Sequence, residues 1–226
     1  MDMNRLIFPD FGDTVTAFFT GKDPGADLQE ICRIIGMKRE NIYMPIQMHT
    51  DKIILVRSLS KPEIADAVVT QERGIVVGVQ TADCVPVLLY TKPKGVIGAV
   101  HAGWRGTAEG ILKKTIMMIA DRFYVEGHDI MIAIGPSIKG CCYEVGGDVA
   151  DAVGRSTGEG KYCRSKNGKY LIDLPVANKL QALSLGIPES NIWMSDECTF
   201  CRPERYYSYR FAKGPTGRQA GFIGII

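Results

Sequence analysis

Residues 81–106 read T-A-D-C-V-P-V-L-L-Y-T-K-P-K-G-V-I-G-A-V-H-A-G-W-R-G, and this stretch decides the fold. Residues 85–90 are apolar and partly β-branched, which predicts a buried strand, and the Lys-Pro-Lys-Gly sequence at 92–95 is a turn signal. Residues 95–100 predict a second buried strand, with glycines where two backbones can approach closely. The sequence therefore predicts a hairpin of two buried strands.

Cys84 precedes the first of these strands, and His101 ends the second. Because the start of one hairpin strand lies beside the end of the other, we expect the thiol and the imidazole at the same end of the sheet. A thiolate and an imidazole brought together in this way are typical of a metal site, or of a thiol nucleophile with its base.

The composition is that of an ordinary globular chain, with 226 residues, 46% hydrophobic and 23% charged, a net charge of +2 and a pI near 8.1. This length can bury a sizeable core. No linker or charge run divides the chain, so we expect one domain over residues 1–226. The charge is too balanced to indicate a nucleic acid or an anionic membrane as a partner.

Seven cysteines are an odd number in a long chain, which favours reduced thiols over a disulfide framework. No apolar run approaches the length of a membrane helix, and residues 1–5 lead into no signal-peptide core. We therefore expect a cytoplasmic protein. The sequence does not choose between a monomer and a dimer.

Short strands and helices alternate irregularly on both sides of the hairpin. Residues 27–36 and 107–124 have apolar positions at helical spacing, and a third helix is expected at 173–185. Further strands are expected at 6–8, 14–20, 42–48, 53–56, 65–69, 75–79, 130–134, 192–194 and in the apolar run T-G-R-Q-A-G-F-I-G-I-I. This order predicts an α+β fold with mixed β-sheets and flanking helices.

The candidate metal ligands are His49, Cys84 and His101, because two of the three histidines stand at strand ends near glycine turns. Three protein ligands leave a fourth position open, which is typical of catalytic zinc, where the metal activates water near neutral pH. Their spacing matches no compact ligand motif, so spacing alone favours a structural His49 and a buried Cys84. The third histidine, His128, lies in a polar stretch and is interpreted as a loop residue.

Arg105 lies in a glycine-rich turn between the hairpin and the helix predicted at 107–124. Free N–H groups and the positive end of a helix favour an anion at such a junction. The guanidinium can add a bidentate contact to that anion. The alternative interpretation is an ion pair that only ties the turn.

Several motifs together resemble one known family. In chain order they are Q-M-H ending at His49, T-A-D-C-V-P-V-L, H-A-G-W-R-G, G-P-S-I-K-G-C-C-Y-E-V, Y-Y-S-Y-R and T-G-R-Q-A-G-F-I-G. In this order they resemble the laccase-domain family, also called polyphenol oxidase or YfiH-like, over most of the chain from His49 onward. The pairing of T-A-D-C with H-A-G-W-R-G is the most specific part of the resemblance.

The resemblance implies a compact fold similar to the catalytic domain of bacterial deamidase toxins, with Zn2+ held by His49, Cys84 and His101. It implies purine nucleoside chemistry, which is phosphorolysis of adenosine, inosine, guanosine or methylthioadenosine to free base and ribose 1-phosphate, and/or deamination of adenosine. The expected partners are a small nucleoside and phosphate. Cu2+ is expected only as an adventitious occupant of the same site.

Within this chemistry the candidate catalytic residues are Cys84, Asp83, Arg105 and Glu144. Deamination needs a carboxylate that moves protons to the leaving amine, and Asp83 and Glu144 are the nearby acids. Each has a structural alternative, a turn cap for Asp83 and a hydrogen-bond acceptor for Glu144. The candidate residues for binding substrate or phosphate are Lys22, Gln47, Arg105 and Arg218.

One segment departs from the family pattern. A Thr-x-Arg followed by a glycine-rich loop is usual near the N-terminus, whereas this chain has Thr20-Gly21-Lys22, then at once residues 23–26 and a helix. Lysine supplies a point charge instead of a bidentate fork. The difference therefore bears on phosphate or ribose binding more than on the metal ligands.

A multicopper laccase is not expected, because its four coppers need more imidazole ligands than three histidines provide. The main alternative enzyme is a cysteine hydrolase with Cys84 as nucleophile and His101 or His49 as base. The other alternative is a non-enzymatic zinc-binding or partner protein. Against it, a cation and a metal ligand in one tight turn are more than a structural site needs.

Two cysteine pairs, Cys141-Cys142 and Cys198-Thr-Phe-Cys201, nominally form a second zinc site. Their spacing has no second signal to support it, so the favoured interpretation is that they bind no metal. Trp193 and the nearby tyrosines are interpreted as core and sheet surface and not as a platform for stacking bases.

Overall fold

The structure, a computed structural model, describes residues 6–12 and 15–225. Within these ranges the α+β composition predicted from the sequence is confirmed. The strands are Leu6–Ile7 (β1), Thr16–Thr20 (β2), Ile42–Tyr43 (β3), Ile53–Val56 (β4), Ala67–Thr70 (β5), Val76–Thr81 (β6), Val85–Thr91 (β7), Val96–Ala102 (β8), Ile130–Ile134 (β9), Glu144–Val145 (β10), Cys163–Lys166 (β11), Lys169–Ile172 (β12), Ile192–Met194 (β13) and Gln219–Gly224 (β14). The α-helices are Leu28–Ile35 (α1), Trp104–Ala108 (α2), Ile111–Phe123 (α3), Gly147–Thr157 (α4), Leu174–Leu183 (α5) and Tyr209–Ala212 (α6).

The predicted hairpin is the centre of a six-stranded mixed sheet with the strand order β13-β9-β7-β8-β5-β4. β7 and β8 pair antiparallel, with Val85 opposite Ala102 and Pro86 opposite His101, so the hairpin is confirmed. β5 pairs antiparallel with β8, and β4 pairs parallel with β5. The start of β7, the end of β8 and the starts of β5 and β4 therefore meet at one end of the sheet.

A five-stranded sheet with the order β1-β2-β14-β6-β3 packs on one face of the six-stranded sheet. Alternate residues of β7 separate the two faces, because Leu88 joins the core between the sheets while Val87 and Leu89 join the core on the helical side. Every residue of β7 and β8 is buried. Burial on both faces explains why these strands are continuous apolar runs.

Helices and a small sheet cover the outer faces. α3 and α5 pack on the six-stranded sheet, together with the antiparallel three-stranded sheet β10-β12-β11. α1 covers the five-stranded sheet through Ile31. The helix predicted at 27–36 is observed as α1, and Asp27 caps its first turn while Gly36 ends it in the left-handed conformation.

The prediction of a single helix at 107–124 is wrong. Two helices, α2 and α3, are separated at Gly110, which has a left-handed φ of 68° that a continuing helix does not allow. α2 begins at Trp104, so Arg105 lies in the first turn of that short helix and not in a turn before a long one.

Other predicted bounds also change. The strand predicted at 42–48 is limited to β3, after which Ile46 forms an isolated bridge with Ile64. The helix predicted at 173–185 ends at Leu183. Residues 1–5 and Thr14, which belong to the signal-peptide and strand predictions, lie outside the described residues. Among the helices of the described ranges, none has the length and apolar character that crossing a membrane requires.

Candidate active site

The three candidate ligands meet at the end of the six-stranded sheet where β7 starts and β8 ends. His49, Cys84 and His101 each offer one ligand atom, and these atoms all lie within 4.8 Å of one another. The Cys84 Sγ lies 3.9 Å from the His49 Nε2. The two imidazole rings meet edge to face, with centroids 4.8 Å apart. The structure thus brings together the thiol and both imidazoles that the sequence singled out.

Neighbouring elements of the sheet place these side chains. Cys84 directly precedes β7, and His101 is the residue before the last in β8. His49 lies in the loop before β4 and has a φ of 57°, which is the left-handed region for a residue that is not glycine. A strained backbone of this kind persists only where the surroundings hold it, and it is common at functional sites.

Asp66 holds the His49 loop and the His101 ring together. Its fully buried carboxylate accepts hydrogen bonds from the backbone N–H groups of Met48, His49 and Thr50 and from the Thr50 hydroxyl. It also accepts from the His101 Nδ1 at 2.8 Å. Because an ionised carboxylate only accepts, Nδ1 carries the proton, and Nε2 is the nitrogen left for a metal ion. Burial opposes the charge of Asp66, but these hydrogen bonds outweigh it and hold the pKa of the carboxyl well below its ordinary value.

Without a metal ion, Cys84 and His101 form a thiolate–imidazolium pair. Burial raises the pKa of the Cys84 thiol, but the charge of His101 and hydrogen bonds with both imidazoles outweigh burial and lower that pKa to about 6. Burial lowers the pKa of His101, but the charge of Cys84 and the bond to Asp66 outweigh it and raise that pKa to about 9. The thiol is therefore in the form that binds metal or attacks an electrophile.

Gly103 leaves space beside the ligands. A Cβ atom at this position would lie 2.9 Å from the Cys84 Sγ, so that the sulfur would have to move, and 3.2 Å from the His49 Cδ2, which is a tight contact. Its φ of −69° is open to any residue, so the close approach, and not the backbone conformation, requires glycine here. The donor set, the tautomer fixed by Asp66 and the room left by Gly103 together fit a metal ion with an open position.

A cavity of about 530 Å³ opens above the three side chains. His49, Cys84 and His101 form one wall of the cavity, and Gln80 and Thr81 at the end of β6 in the five-stranded sheet form another. Trp104, Tyr143 and Tyr209 add aromatic surface. A cavity of this size with a few convergent polar groups is typical of small-molecule sites.

Three of the four predicted binding residues line this cavity. Arg105 stacks on the Trp104 ring, with its guanidinium carbon 4.4 Å from the ring centroid. Arg218 donates from Nη1 to the carbonyls of Thr216 and Gly217. Gln47 exchanges two hydrogen bonds of 2.8 Å with the backbone of Gln80, so its amide ties the His49 loop to β6.

The fourth predicted binding residue, Lys22, is placed elsewhere. Its ammonium lies 5.5 Å from the centroid of the Tyr207 ring, and it is not among the described residues that line the cavity. Its backbone N–H donates to the carbonyl of Arg205. The geometry therefore gives Lys22 a role in joining two loops.

Asp83 lies under the cavity with both carboxylate oxygens engaged. It accepts from the Thr199 hydroxyl at 2.6 Å, the Ser208 hydroxyl at 3.0 Å and the Arg210 backbone N–H at 2.8 Å. Its φ of 85° is a further strained backbone beside Cys84. These contacts suit a residue that anchors the segment 199–210 beneath the ligands.

Glu144 is not brought into the cavity. Its carboxylate pairs with Lys169 at 2.8 Å, and this hydrogen bond and charge lower the pKa of the carboxyl. The residue before it, Tyr143, does line the cavity, and burial raises the pKa of that phenol to about 12. The guanidinium of Arg210 lies over the Tyr143 ring and bonds to the Glu144 carbonyl.

Sequence reasoning missed Asp66, Tyr143 and Thr199. Asp66 had a signal, because it is the single acid in the apolar run I-A-D-A-V-V, and a charge there has to be paired. Tyr143 lies in the motif G-P-S-I-K-G-C-C-Y-E-V, where only its neighbour Glu144 was predicted to be a site residue. Thr199 gave no signal, because its partner is far away in the sequence.

Comparisons with known proteins show which family the chain is similar to. A family model described as multi-copper polyphenol oxidoreductase laccase matches residues 25–226. The purine nucleoside phosphorylase YlmD of Geobacillus stearothermophilus is 38% identical over 162 residues, which cover 70% of this chain and 59% of that protein. Two further relatives, from Aquifex aeolicus and Bacteroides thetaiotaomicron, are also named purine nucleoside phosphorylase.

Another relative, adenosine deaminase RL5 from an unknown prokaryotic organism, is 33% identical over 204 residues, or 84% of this chain and 77% of that protein. Among solved structures, the Bacillus licheniformis hypothetical protein YfiH superposes with a TM-score of 0.92 at 27% identity. That match covers 100% of this chain and 98% of the other.

Proposed function

The chain belongs to the multi-copper polyphenol oxidoreductase laccase family, and on that premise we propose that it is a zinc-dependent enzyme that acts on purine nucleosides. The names of its relatives support phosphorolysis to free base and ribose 1-phosphate, with adenosine deamination as a second activity of the same site. The observation that carries the proposal is the convergence of His49, Cys84 and His101 at the base of a cavity that two arginines also line.

Zn2+ would be held by the Cys84 thiolate and one nitrogen of each histidine, and when bound it supplies a Lewis acid beside the substrate. Asp66 keeps the proton of His101 on Nδ1, so the other nitrogen stays available as a ligand. The Cys84 thiol gives up its proton near neutral pH, which favours a soft cation.

Arg105 and Arg218 are proposed to hold phosphate, because guanidinium forks match phosphate oxygens. In phosphorolysis a phosphate oxygen bonds to the ribose C1′ while the bond from C1′ to the base breaks, and the base leaves with the electron pair and takes up a proton. Trp104 and Tyr143 offer aromatic faces for the base. Positioning and charge are what these side chains contribute.

Two features favour phosphorolysis as the main reaction. Deamination needs a carboxylate that moves protons, and Asp83 is the single acid among the described residues that line the cavity. Its oxygens already accept three hydrogen bonds from the protein. We therefore propose Asp83 as a positioning residue, and Glu144 as a support for Arg210 and not as a proton donor.

The test is a paired assay on metal-quantified protein with adenosine, inosine and methylthioadenosine, each with and without phosphate. Phosphate-dependent release of base, lost in His49→Ala together with the metal ion that His49, Cys84 and His101 would hold, is the expected result. Phosphate-independent formation of inosine from adenosine would make deamination the main activity instead. Absence of turnover with every nucleoside, in protein that holds zinc, would overturn the proposal.

A cysteine hydrolase is the second candidate, favoured by the thiolate–imidazolium pair of Cys84 and His101. This chemistry would fit the expected likeness to deamidase toxins. A thiolate bound to zinc is a poor nucleophile, so metal content separates the two functions. Activity that rises when zinc is removed, and that alkylation of Cys84 abolishes, would support the hydrolase.

Copper oxidase chemistry of the multicopper kind is not part of the proposal, because the full sequence contains three histidines. Cu2+ is proposed only as an adventitious occupant of the same ligands. We further propose that residues 1–226 act as one domain, because the core on the helical side and the core between the sheets share the central six strands. We also propose that the protein acts in the cytoplasm. Limited proteolysis that releases a stable fragment would contradict a single domain.

A further inference from the structure

Four cysteines outside the candidate active site form a second compact group. Cys141, Cys142, Cys198 and Cys201 each offer a sulfur, and the four sulfurs all lie within 4.8 Å of one another. The Cys201 Sγ lies 3.2 Å from the Cys142 Sγ and 3.7 Å from the Cys141 Sγ. All four are free thiols in this arrangement.

These distances suit a tetrahedral metal site. Zinc binds thiolate at about 2.3 Å, so the sulfurs of a four-thiolate site lie about 3.8 Å apart. The Cys201 Sγ meets this separation with one partner and needs a small outward shift with another. A disulfide would bring one pair to about 2.0 Å and leave the other two thiols without a partner.

The sulfurs are placed by two loops that turn around them. The loop after β9 supplies Cys141 and Cys142, and the loop after β13 supplies Cys198 and Cys201, with the two-residue spacing common in zinc half-sites. Backbone N–H groups stabilise the charge of Cys198, as the Lys139 N–H donates to its Sγ at 3.5 Å.

We propose that Cys141, Cys142, Cys198 and Cys201 bind a structural Zn2+ that clamps the two loops together. Each thiol that binds releases its proton, and four ligands from the protein leave no open position for chemistry. The clamp stabilises both loops where they reach the active site, since Thr199 bonds to Asp83 and Tyr143 lines the cavity. The site does not depend on the activity proposed above.

Metal stoichiometry tests this inference. Full-length protein, purified under reducing conditions and reconstituted with zinc, should hold two ions per chain. Cys201→Ser should bind the second ion at least 100-fold more weakly in competition with a chelator, because it removes one of four thiolates. Cys163→Ser, a cysteine outside both groups, is the matched control and should still hold both ions.

A second measurement distinguishes the four-cysteine site from the site that contains His49 and His101. His49→Ala should retain one zinc whose X-ray absorption shows sulfur neighbours only, at about 2.3 Å. One zinc per chain in wild-type protein, with Cys201 alkylated as fast as Cys32, would overturn the proposal. A disulfide among the four cysteines in protein kept under reducing conditions would overturn it as well.

Discussion

Asp66 and His101 are joined twice across neighbouring strands. The His101 backbone N–H donates to the Asp66 carbonyl at 2.8 Å, and the His101 Nδ1 donates to the Asp66 carboxylate, also at 2.8 Å. The same carboxylate accepts a hydrogen bond from the backbone N–H of His49. One buried acid therefore sets the orientation of both histidines, so the two candidate imidazole ligands are tied to the sheet itself.

The first prediction concerns this acid. Asp66→Asn should lower zinc affinity by roughly 10–100-fold, because an amide cannot accept from three backbone N–H groups and His101 as a carboxylate does. Zinc competition with a chelator measures the change. Asp51→Asn, which removes an exposed acid paired with Lys114, is the control and should leave the affinity unchanged. Equal affinities in both variants would contradict the orienting role of Asp66.

The second prediction concerns the space beside Cys84. Gly103→Ala should reduce zinc affinity about tenfold or more with the fold retained, because the new methyl group meets the Cys84 sulfur and the His49 ring. Gly147→Ala, where the methyl group would meet only Tyr170 at 3.6 Å, should bind zinc like the wild type. Metal analysis and circular dichroism check both variants, and full zinc affinity in Gly103→Ala would show that the turn moves freely.

The third prediction is a pH dependence. In metal-free protein, the rate of alkylation of Cys84 should rise with pH and reach half its maximum near pH 6, because the thiolate reacts and its pKa is about 6. Added zinc should protect the thiol, and His101→Ala should move the midpoint upward because the charge of His101 is lost. Mass spectrometry of the alkylated peptide measures the rate, and a midpoint near 9 would refute the thiolate–imidazolium pair.

The fourth prediction concerns Asp83. Asp83→Ala should lower the free energy of unfolding by about 3 kcal/mol, because it leaves two buried hydroxyl donors and the part-buried Arg210 N–H without their acceptor. Thr199→Val removes one of these bonds and should cost about 1 kcal/mol. Urea denaturation measures both. If Asp83 moves protons instead, Asp83→Asn would lose the acidic limb of the pH–rate profile, which a positioning role leaves in place.

The fifth prediction concerns phosphate. Arg105→Lys should raise the KM for phosphate about tenfold with a smaller effect on the KM for nucleoside, because lysine lacks the bidentate fork. Arg155→Lys, on the exposed side of α4, should change neither constant. Steady-state kinetics at varied phosphate provide the measurement. Unchanged phosphate KM values in Arg105→Lys and in Arg218→Lys would place the phosphate elsewhere.

The hairpin was predictable because the residues that specify it are close together in the sequence. An apolar run, a Lys-Pro-Lys-Gly turn and a second apolar run specify β7 and β8, and the pairing then fixes the neighbourhood of Cys84 and His101. Apolar residues at helical spacing made α1 predictable in the same way, because they too are close together in the sequence.

The parts that depend on distant contacts were not predictable. Residues 146–172 fold as α4, β11 and β12, but α4 buries only Ala150 and Val153, so its sequence offers few large apolar residues to mark a buried helix face. Asp83 is a candidate acid in the sequence, and the three donors that bond to it lie more than 100 positions away. Its partner Thr199 could not be found by spacing. The assignment of Glu144 failed to anticipate Lys169, which pairs with it from another strand.

The position of β14 has a consequence for how the protein is made. β14 lies between β2 and β6, and it pairs antiparallel with both. On the ribosome, β2 and β6 emerge long before residues 219–224 do, so each exposes an unpaired apolar edge during synthesis. Such edges are templates for aggregation. We therefore expect a chain that ends before residue 219 to keep both edges unpaired and to be less soluble than the chain of residues 1–226.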